Sequence, residues 1–208
     1  MIAILDYEAG NLTSVDLAVR EAGGDPKVTQ DPADVRAAER VIFPGVGAAG
    51  HCMENLRRLG LDRALREAVE SGKPVLGICI GIQLLFERSA EDGGVECLGI
   101  LPGEVVPFDF PEDAHVKVPH MGWNEILPTK AHPVLAGVEP GDECYFVHSY
   151  HVQPERGQLI LAECKYADYL FPCAVEQHNL VATQFHPEKS GPVGLQILRN
   201  FLAWDGTL

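Results

Sequence analysis

The sequence predicts an α/β fold, with a central, mostly parallel sheet flanked by helices and an antiparallel extension in the second half. Three features carry this expectation. Short apolar runs at Ile2 to Leu5, Val41 to Phe43 and Val75 to Ile78 alternate with helix-spaced apolar sets, the pattern of parallel strands covered on both faces. Beyond Glu91, turn signals such as Pro102-Gly103 and Pro140-Gly141 separate strands too closely spaced for crossover helices. A final helix-spaced set runs from Val193 to Trp204.

Taken in order, Ile2 to Leu5 reads as a buried strand. Leu12, Val15, Val19 and Ala22 then mark a helix that stops at Gly23-Gly24. Lys27 to Thr29 is a weak second strand, and Asp31-Pro32 supplies an N-cap and an N1 proline for a brief helix to Ala38. After Val41 to Phe43 comes Pro44-Gly45-Val46-Gly47. Met53, Leu56 and Leu59, then Leu61, Leu65 and Val69, predict two helical stretches divided at Gly60. In the second half, strands are expected at Glu104 to Pro107, Val116 to Val118, Glu125 to Leu127, Tyr145 to Val152, Leu159 to Tyr166, Cys173 to Glu176 and Leu180 to Phe185, with Gln177-His178-Asn179 as a hairpin connection. The last helix is expected to put Leu195, Leu198, Phe201 and Leu202 on one face.

The 208 residues suffice for one sizeable core, and with no linker, repeat or low-complexity segment a single domain over 1–208 is expected. A formal charge of −14, with 16 basic residues scattered among 30 acidic ones, argues against nucleic acid as a partner. Six cysteines at irregular spacings, without C-x-x-C, signal neither a metal site nor a dithiol motif and fit a reducing compartment. Asp6 interrupts the first apolar run, which reads as a strand and not as a signal peptide. No apolar run approaches the roughly 20 residues that span a bilayer, so no membrane association and a cytoplasmic location are expected.

The chemistry centres on Gly77-Ile78-Cys79-Ile80-Gly81. An apolar strand ends on a cysteine flanked by glycines two residues away, and a helical set follows, which outlines a sharp strand-to-helix turn with Cys79 at its tip. Unpaired N–H groups at the start of that helix favour a thiolate. A cysteine nucleophile needs an oriented base, and His186-Pro187-Glu188 follows a strand, so it is expected at a strand end as well. His120, His148 and His151 are alternative bases. Pro44-Gly45-Val46-Gly47 offers backbone N–H groups with little obstruction, and those of Val46 and Ile80 can converge on an oxyanion.

Together, Gly77 to Gln83 and the later His186 to Glu188 resemble the motifs of the class I (triad) glutamine amidotransferases, whose fold is flavodoxin-like. The glycine loop, Pro119 to Asn124, Tyr145 to Tyr150 and Phe185 to Ser190 extend the resemblance to the glutaminase subunits of imidazole glycerol phosphate synthase, over nearly the whole chain. The resemblance implies a glutaminase that forms a thioester on Cys79, with His186 as base and acid, Glu188 orienting it, and Val46 and Ile80 as oxyanion hole. Gly47, Gln83, Glu91, His148, Ser149 and Tyr150 would contact L-glutamine. It further implies a heterodimer with a (β/α)8-barrel cyclase that receives the ammonia, with Asn11, Trp123, Tyr145 and Lys189 at the interface, and no cofactor or metal. Ala49, His51 and Cys52 depart from the family pattern after the glycine loop and leave its packing open. Two other readings compete: a glutaminase subunit of another ammonia-channelling synthase, and a non-catalytic scaffold or redox-sensing protein of the same fold.

Overall fold

The computed structural model describes residues 1–10, 12–111 and 115–207. In chain order the first half contains β1 (Ile2–Leu5), α1 (Leu12–Glu21), β2 (Pro26–Thr29), α2 (Pro32–Ala37), β3 (Arg40–Phe43), α3 (Ala49–Leu59), α4 (Leu61–Glu70), β4 (Val75–Ile78) and α5 (Ile80–Leu84). The second contains β5 (Arg88–Ser89), β6 (Val95–Glu96), β7 (Gly103–Pro107), β8 (His120–Glu125), β9 (Leu127–Pro128), β10 (Glu143–His148), β11 (Tyr150–Pro154), β12 (Ile160–Tyr166), β13 (Tyr169–Gln177), β14 (Leu180–Thr183) and α6 (Gly191–Ala203).

The central sheet has the order β2-β1-β3-β4-β14-β13-β12-β9. From β2 to β14 neighbours run parallel, and β13, β12 and β9 continue antiparallel. The period of two decides which side chain goes where. Leu5, Phe43, Val75 and Ala182 face a core shared with α3 and α4, whereas Ile4, Ile42, Leu76 and Val181 face one shared with α1 and α6. Both faces are therefore covered, which is why these strands are apolar throughout.

Local chemistry sets the helix ends. The side chain of Asp31 accepts from Ala33 N–H at the start of α2, and Gly60, at φ 69°, is the left-handed residue that ends α3 and opens α4.

Several expectations need correction. Val116 to Val118 is not a strand: it is largely exposed, pairs with no strand among the described residues and runs into Pro119, which lacks an N–H. Tyr145 to Val152 is not continuous but breaks at Ser149, β10 pairing with β8 and β11 with β7 in separate sheets. Glu125 to Leu127 likewise divides at Ile126, which is fully buried. β8 itself was hidden because Gly122 and polar residues dilute its strand pattern, and β13 is longer than Cys173 to Glu176. α5 lasts only five residues, so little of a helix dipole builds behind Cys79. α6 buries Gly194, Ile197, Leu198 and Phe201, and leaves Leu195 half-exposed. Among the described residues, no helix is long and apolar enough to cross a membrane.

Candidate active site

Parallel pairing brings the carboxyl ends of β3, β4 and β14 to one edge, so Pro44 to Gly47, Cys79 and His186 meet there. Cys79 adopts φ 56° and ψ −108°, a conformation costly for a residue with a Cβ, and its N–H is held by Thr183 O at 2.8 Å. The flanking glycines make this turn possible. A Cβ at Gly81 would stand 2.0 Å from Phe43 O, and one at Gly77 would stand 2.9 Å from Ala182 Cβ. The thiol is only 6% exposed, with Sγ 4.0 Å from Val147 O.

The His186 turn is braced on three sides. His186 N–H donates to Tyr145 O at 2.9 Å, Ser190 Oγ donates to His186 O at 2.6 Å, and Tyr145 N–H donates to Ser190 Oγ at 3.0 Å. The imidazole Nδ1–H then donates to Glu188 Oε1 at 2.7 Å, both side chains being buried. Nε2 has no hydrogen-bond partner among the described residues. Burial acts to lower the imidazole pKa; the nearby Cys79 and the hydrogen-bonded Glu188, which both favour the charged ring, outweigh it and push the pKa up to about 10.

Cys79 opens on a cavity of about 320 Å³ lined by Val46, Gly47, Ile80, Gln83, Glu91, Val147, His148, Ser149 and Tyr150. Gln83 Nε2 donates to Tyr150 O at 3.0 Å and to Gln184 Oε1 at 3.1 Å, so both amide hydrogens are used and Oε1 is the group left for a ligand. Glu91 does more than line the wall. Its Oε2 accepts from Ala49 N–H at 2.8 Å, and Asp92 Oδ2 accepts from Gly50 N–H at 3.4 Å, so the two acids cap α3 in place of the uncapping Ala48.

The glycine loop packs on the departures noted above. Ala49 and Cys52 are fully buried, Cys52 Sγ lies 4.0 Å from Val46 O, and the exposed His51 pairs with Asn55. A Cβ at Gly10 would come within 3.1 Å of Val46 N, so the Val46 amide lies against Gly10. Beneath the loop, Tyr7 is fully buried, its hydroxyl without a hydrogen-bond partner among the described residues.

The other histidines are built differently. His148 Nδ1 faces Tyr150 O and His151 Nδ1 faces Val152 O, so each donates to a carbonyl. Burial pushes His120 down to about 4 and His148 down to about 3, and lowers His151 as well. Of the four candidate bases, only His186 has a carboxylate partner among the described residues. Burial pushes the Cys52, Cys144 and Cys164 thiols up to about 12 and that of Cys97 up to about 11, and raises that of Cys173 as well.

On the outer side of the His186 turn, Trp123 (54% exposed) meets Tyr145 edge to face at 6.2 Å, and Lys189 Nζ lies 5.7 Å from the Tyr145 ring centroid. Asn11 lies outside the described residues. No group of three or more metal-ligating side chains occurs among the described residues. The glycine-framed thiol and its imidazole–carboxylate pair were legible as motifs; Gln184, Val147 and Tyr7 were not, because a lone amide, valine or phenol carries no spacing signal.

The family model for class-I glutamine amidotransferases matches residues 3–204. Imidazole glycerol phosphate synthase subunit HisH of Chromobacterium violaceum is 49% identical, with 100% of this chain and 99% of that protein covered. HisH of Acinetobacter baylyi is 47% identical over 98% of each chain. Among solved structures, one described as the crystal structure of a glutamine amidotransferase superposes with a TM-score of 0.75 at 20% identity, covering 99% of each chain. PurLQS from Thermotoga maritima also gives 0.75, at 17% identity and 97% coverage of each chain. The central sheet, the glycine-framed elbow and the full-length match to these relatives agree, and the chain belongs to the class-I glutamine amidotransferases, in the HisH family.

Proposed function

We propose that this chain is the glutaminase subunit of an imidazole glycerol phosphate synthase, acting as one domain over 1–208 in the cytoplasm. The observation that carries the reading is the strained Cys79 turn set between the buried His186–Glu188 pair and a cavity whose walls suit a small amino acid.

In this reading an imidazole that holds its proton tightly takes the proton of Cys79, and the sulfur attacks the side-chain amide carbon of L-glutamine. The N–H groups of Ile80 and Val46 stabilise the oxyanion; one such donor is worth about 10²–10³ in rate. His186 passes its proton to the amide nitrogen, the C–N bond breaks and ammonia leaves a γ-glutamyl thioester on Cys79. Water, deprotonated by His186, then attacks the thioester carbon; the C–S bond breaks, glutamate departs and the proton returns to sulfur. Glu188 keeps the imidazole in the required tautomer throughout. Glu91 is placed for the α-ammonium of the substrate, and Gly47, Gln83, His148, Ser149 and Tyr150 complete its contacts.

Ammonia released into water is protonated and lost. A partner that receives it directly is needed, and the resemblance to HisH makes that partner a barrel-type cyclase, docked on Trp123, Tyr145, Lys189 and Asn11, that uses the ammonia to make imidazole glycerol phosphate and AICAR in histidine biosynthesis. Val46 turns its N–H from Gly10 toward Cys79 when the partner carries its own ligand, so the isolated chain hydrolyses glutamine slowly.

The test is Cys79→Ala in the complex. Glutamine hydrolysis is expected to vanish while product still forms from added ammonia. Residual glutamine hydrolysis would show that another group is the nucleophile.

A further inference from the structure

Behind the cavity wall lies a hydrogen-bonded chain whose outer members, Asn124 and His120, the proposed chemistry does not use. Along β8, Met121 and Trp123 point outward, 62% and 54% exposed, whereas His120 and Asn124 share the other face. Asn124 Oδ1 accepts from Glu125 N–H at 2.9 Å, and its Nδ2 donates to Lys165 O at 3.0 Å, which fixes the amide's orientation. The same Nδ2 lies 3.2 Å from His120 Nε2. His120 Nδ1 lies 3.1 Å from His148 Nε2, and His148 Nδ1 lies 2.8 Å from Tyr150 O.

Only one proton assignment satisfies this chain. From one end, Asn124 Nδ2 can only donate, so His120 Nε2 accepts and Nδ1 carries the hydrogen. From the other, Tyr150 O can only accept, so His148 Nδ1 carries the hydrogen and Nε2 accepts. The two assignments meet without conflict at the His120–His148 bond. An imidazolium at either position would set two N–H groups against each other. Burial, which pushes His120 and His148 down to about 4 and about 3, acts in the same direction.

Tyr150 O is a hub: it accepts from His148 Nδ1–H and also from Gln83 Nε2–H. Because a backbone carbonyl cannot donate, the hub fixes which end of the Gln83 amide is spent on the protein and leaves Oε1 for the cavity. We propose that Asn124 and His120 are positioning residues for the substrate wall, holding His148 as the Nδ1–H tautomer so that Tyr150 O and Gln83 keep the orientation that binds the ligand. This rests on the glutaminase reading above.

The experiment pairs imidazole ¹⁵N NMR of the chain with glutamine kinetics of its complex with the cyclase. In the wild type both His120 and His148 are expected to show neutral Nδ1–H tautomers; an Nε2–H tautomer at either position overturns the proposal. His120→Phe keeps the stack on Phe146 and Tyr166 but removes the donor. It is expected to release the His148 tautomer and raise KM for glutamine about tenfold, with kcat changed less than about threefold. His120→Asn, whose Nδ2 can replace the ring Nδ1 as donor, is expected to restore both readouts. Unchanged tautomer and KM in His120→Phe, or a KM for His120→Asn as high as that of His120→Phe, overturns it. Should the phenylalanine variant not fold, the wild-type spectrum and His120→Asn still decide. A wild-type complex that hydrolyses no glutamine while showing the expected spectrum would sink the glutaminase reading alone.

Discussion

His186 and Glu188 are joined across a single residue: Nδ1–H donates to Oε1 at 2.7 Å, with the ring and the carboxylate both buried. Pro187 between them begins a short 3-10 turn, so base and orienting carboxylate are neighbours in the chain, and Tyr145 braces the turn that carries them. Only the thiol comes from far away in the chain, through the parallel pairing of β14 with β4.

Glu188→Gln keeps the shape of this unit and removes its charge. We expect the imidazole midpoint to move down from about 10, because one of the two interactions that raise it is weakened. An amide can also present the wrong group to Nδ1, so glutamine turnover of the complex is expected to fall by about 10²–10⁴. Histidine NMR titration and steady-state kinetics measure the two effects separately.

Gly81→Ala places a Cβ 2.0 Å from Phe43 O, a backbone atom that cannot rotate away. The turn or β3 has to shift, at a cost of about 3 kcal/mol, the upper end for overpacking. Urea unfolding is expected to show this loss, and glutamine turnover to fall with it; a variant as stable as the wild type would contradict the packing described for the elbow.

Tyr7→Phe is expected to act in the opposite direction. The phenol is fully buried and its hydroxyl has no partner among the described residues, so removing the oxygen relieves an unmet desolvation cost. We expect stability to rise by about 1 kcal/mol in urea unfolding.

Acid sensitivity follows from the two neutral histidines. His120 and His148 have folded-state pKa values of about 4 and about 3, below the ordinary 6.5 of an exposed imidazole. As pH drops from about 6.5 toward 4, the unfolded chain binds protons that the folded one refuses, so stability is lost on acidification and is fully present above 6.5. His120→Phe is expected to flatten this slope in chemical unfolding followed across that range.

Much of this was readable before any coordinates. The parallel half follows from apolar runs whose residues are all buried, so periodicity and burial give the same answer, as at Val75 to Ile78. The antiparallel half was harder. Strands such as β8 carry His120, Gly122, Trp123 and Asn124, residues chosen for an interior hydrogen-bonded chain on one face and an exposed aromatic on the other, and so lack the apolar alternation that marks a strand. The break at Ser149 was equally invisible, because Tyr145 to Val152 is uniformly strand-like and only the choice of partner, β8 or β7, divides it. For the site, motifs exposed the groups with distinctive chemistry. The double duty of Glu91 was not legible, since helix capping from forty-two residues away has no local signature.

The clamp that Glu91 and Asp92 place on the first amides of α3 defines how the glycine loop is able to move. Phe43 is paired in β3 at one end, and Ala49 N–H and Ala48 O are hydrogen-bonded at the other, so any turning of the loop is expected to be confined to the peptide units between Pro44 and Gly47. Rearrangement there is expected to be a crankshaft turn of a few peptide units, with the start of α3 kept in place by its two caps.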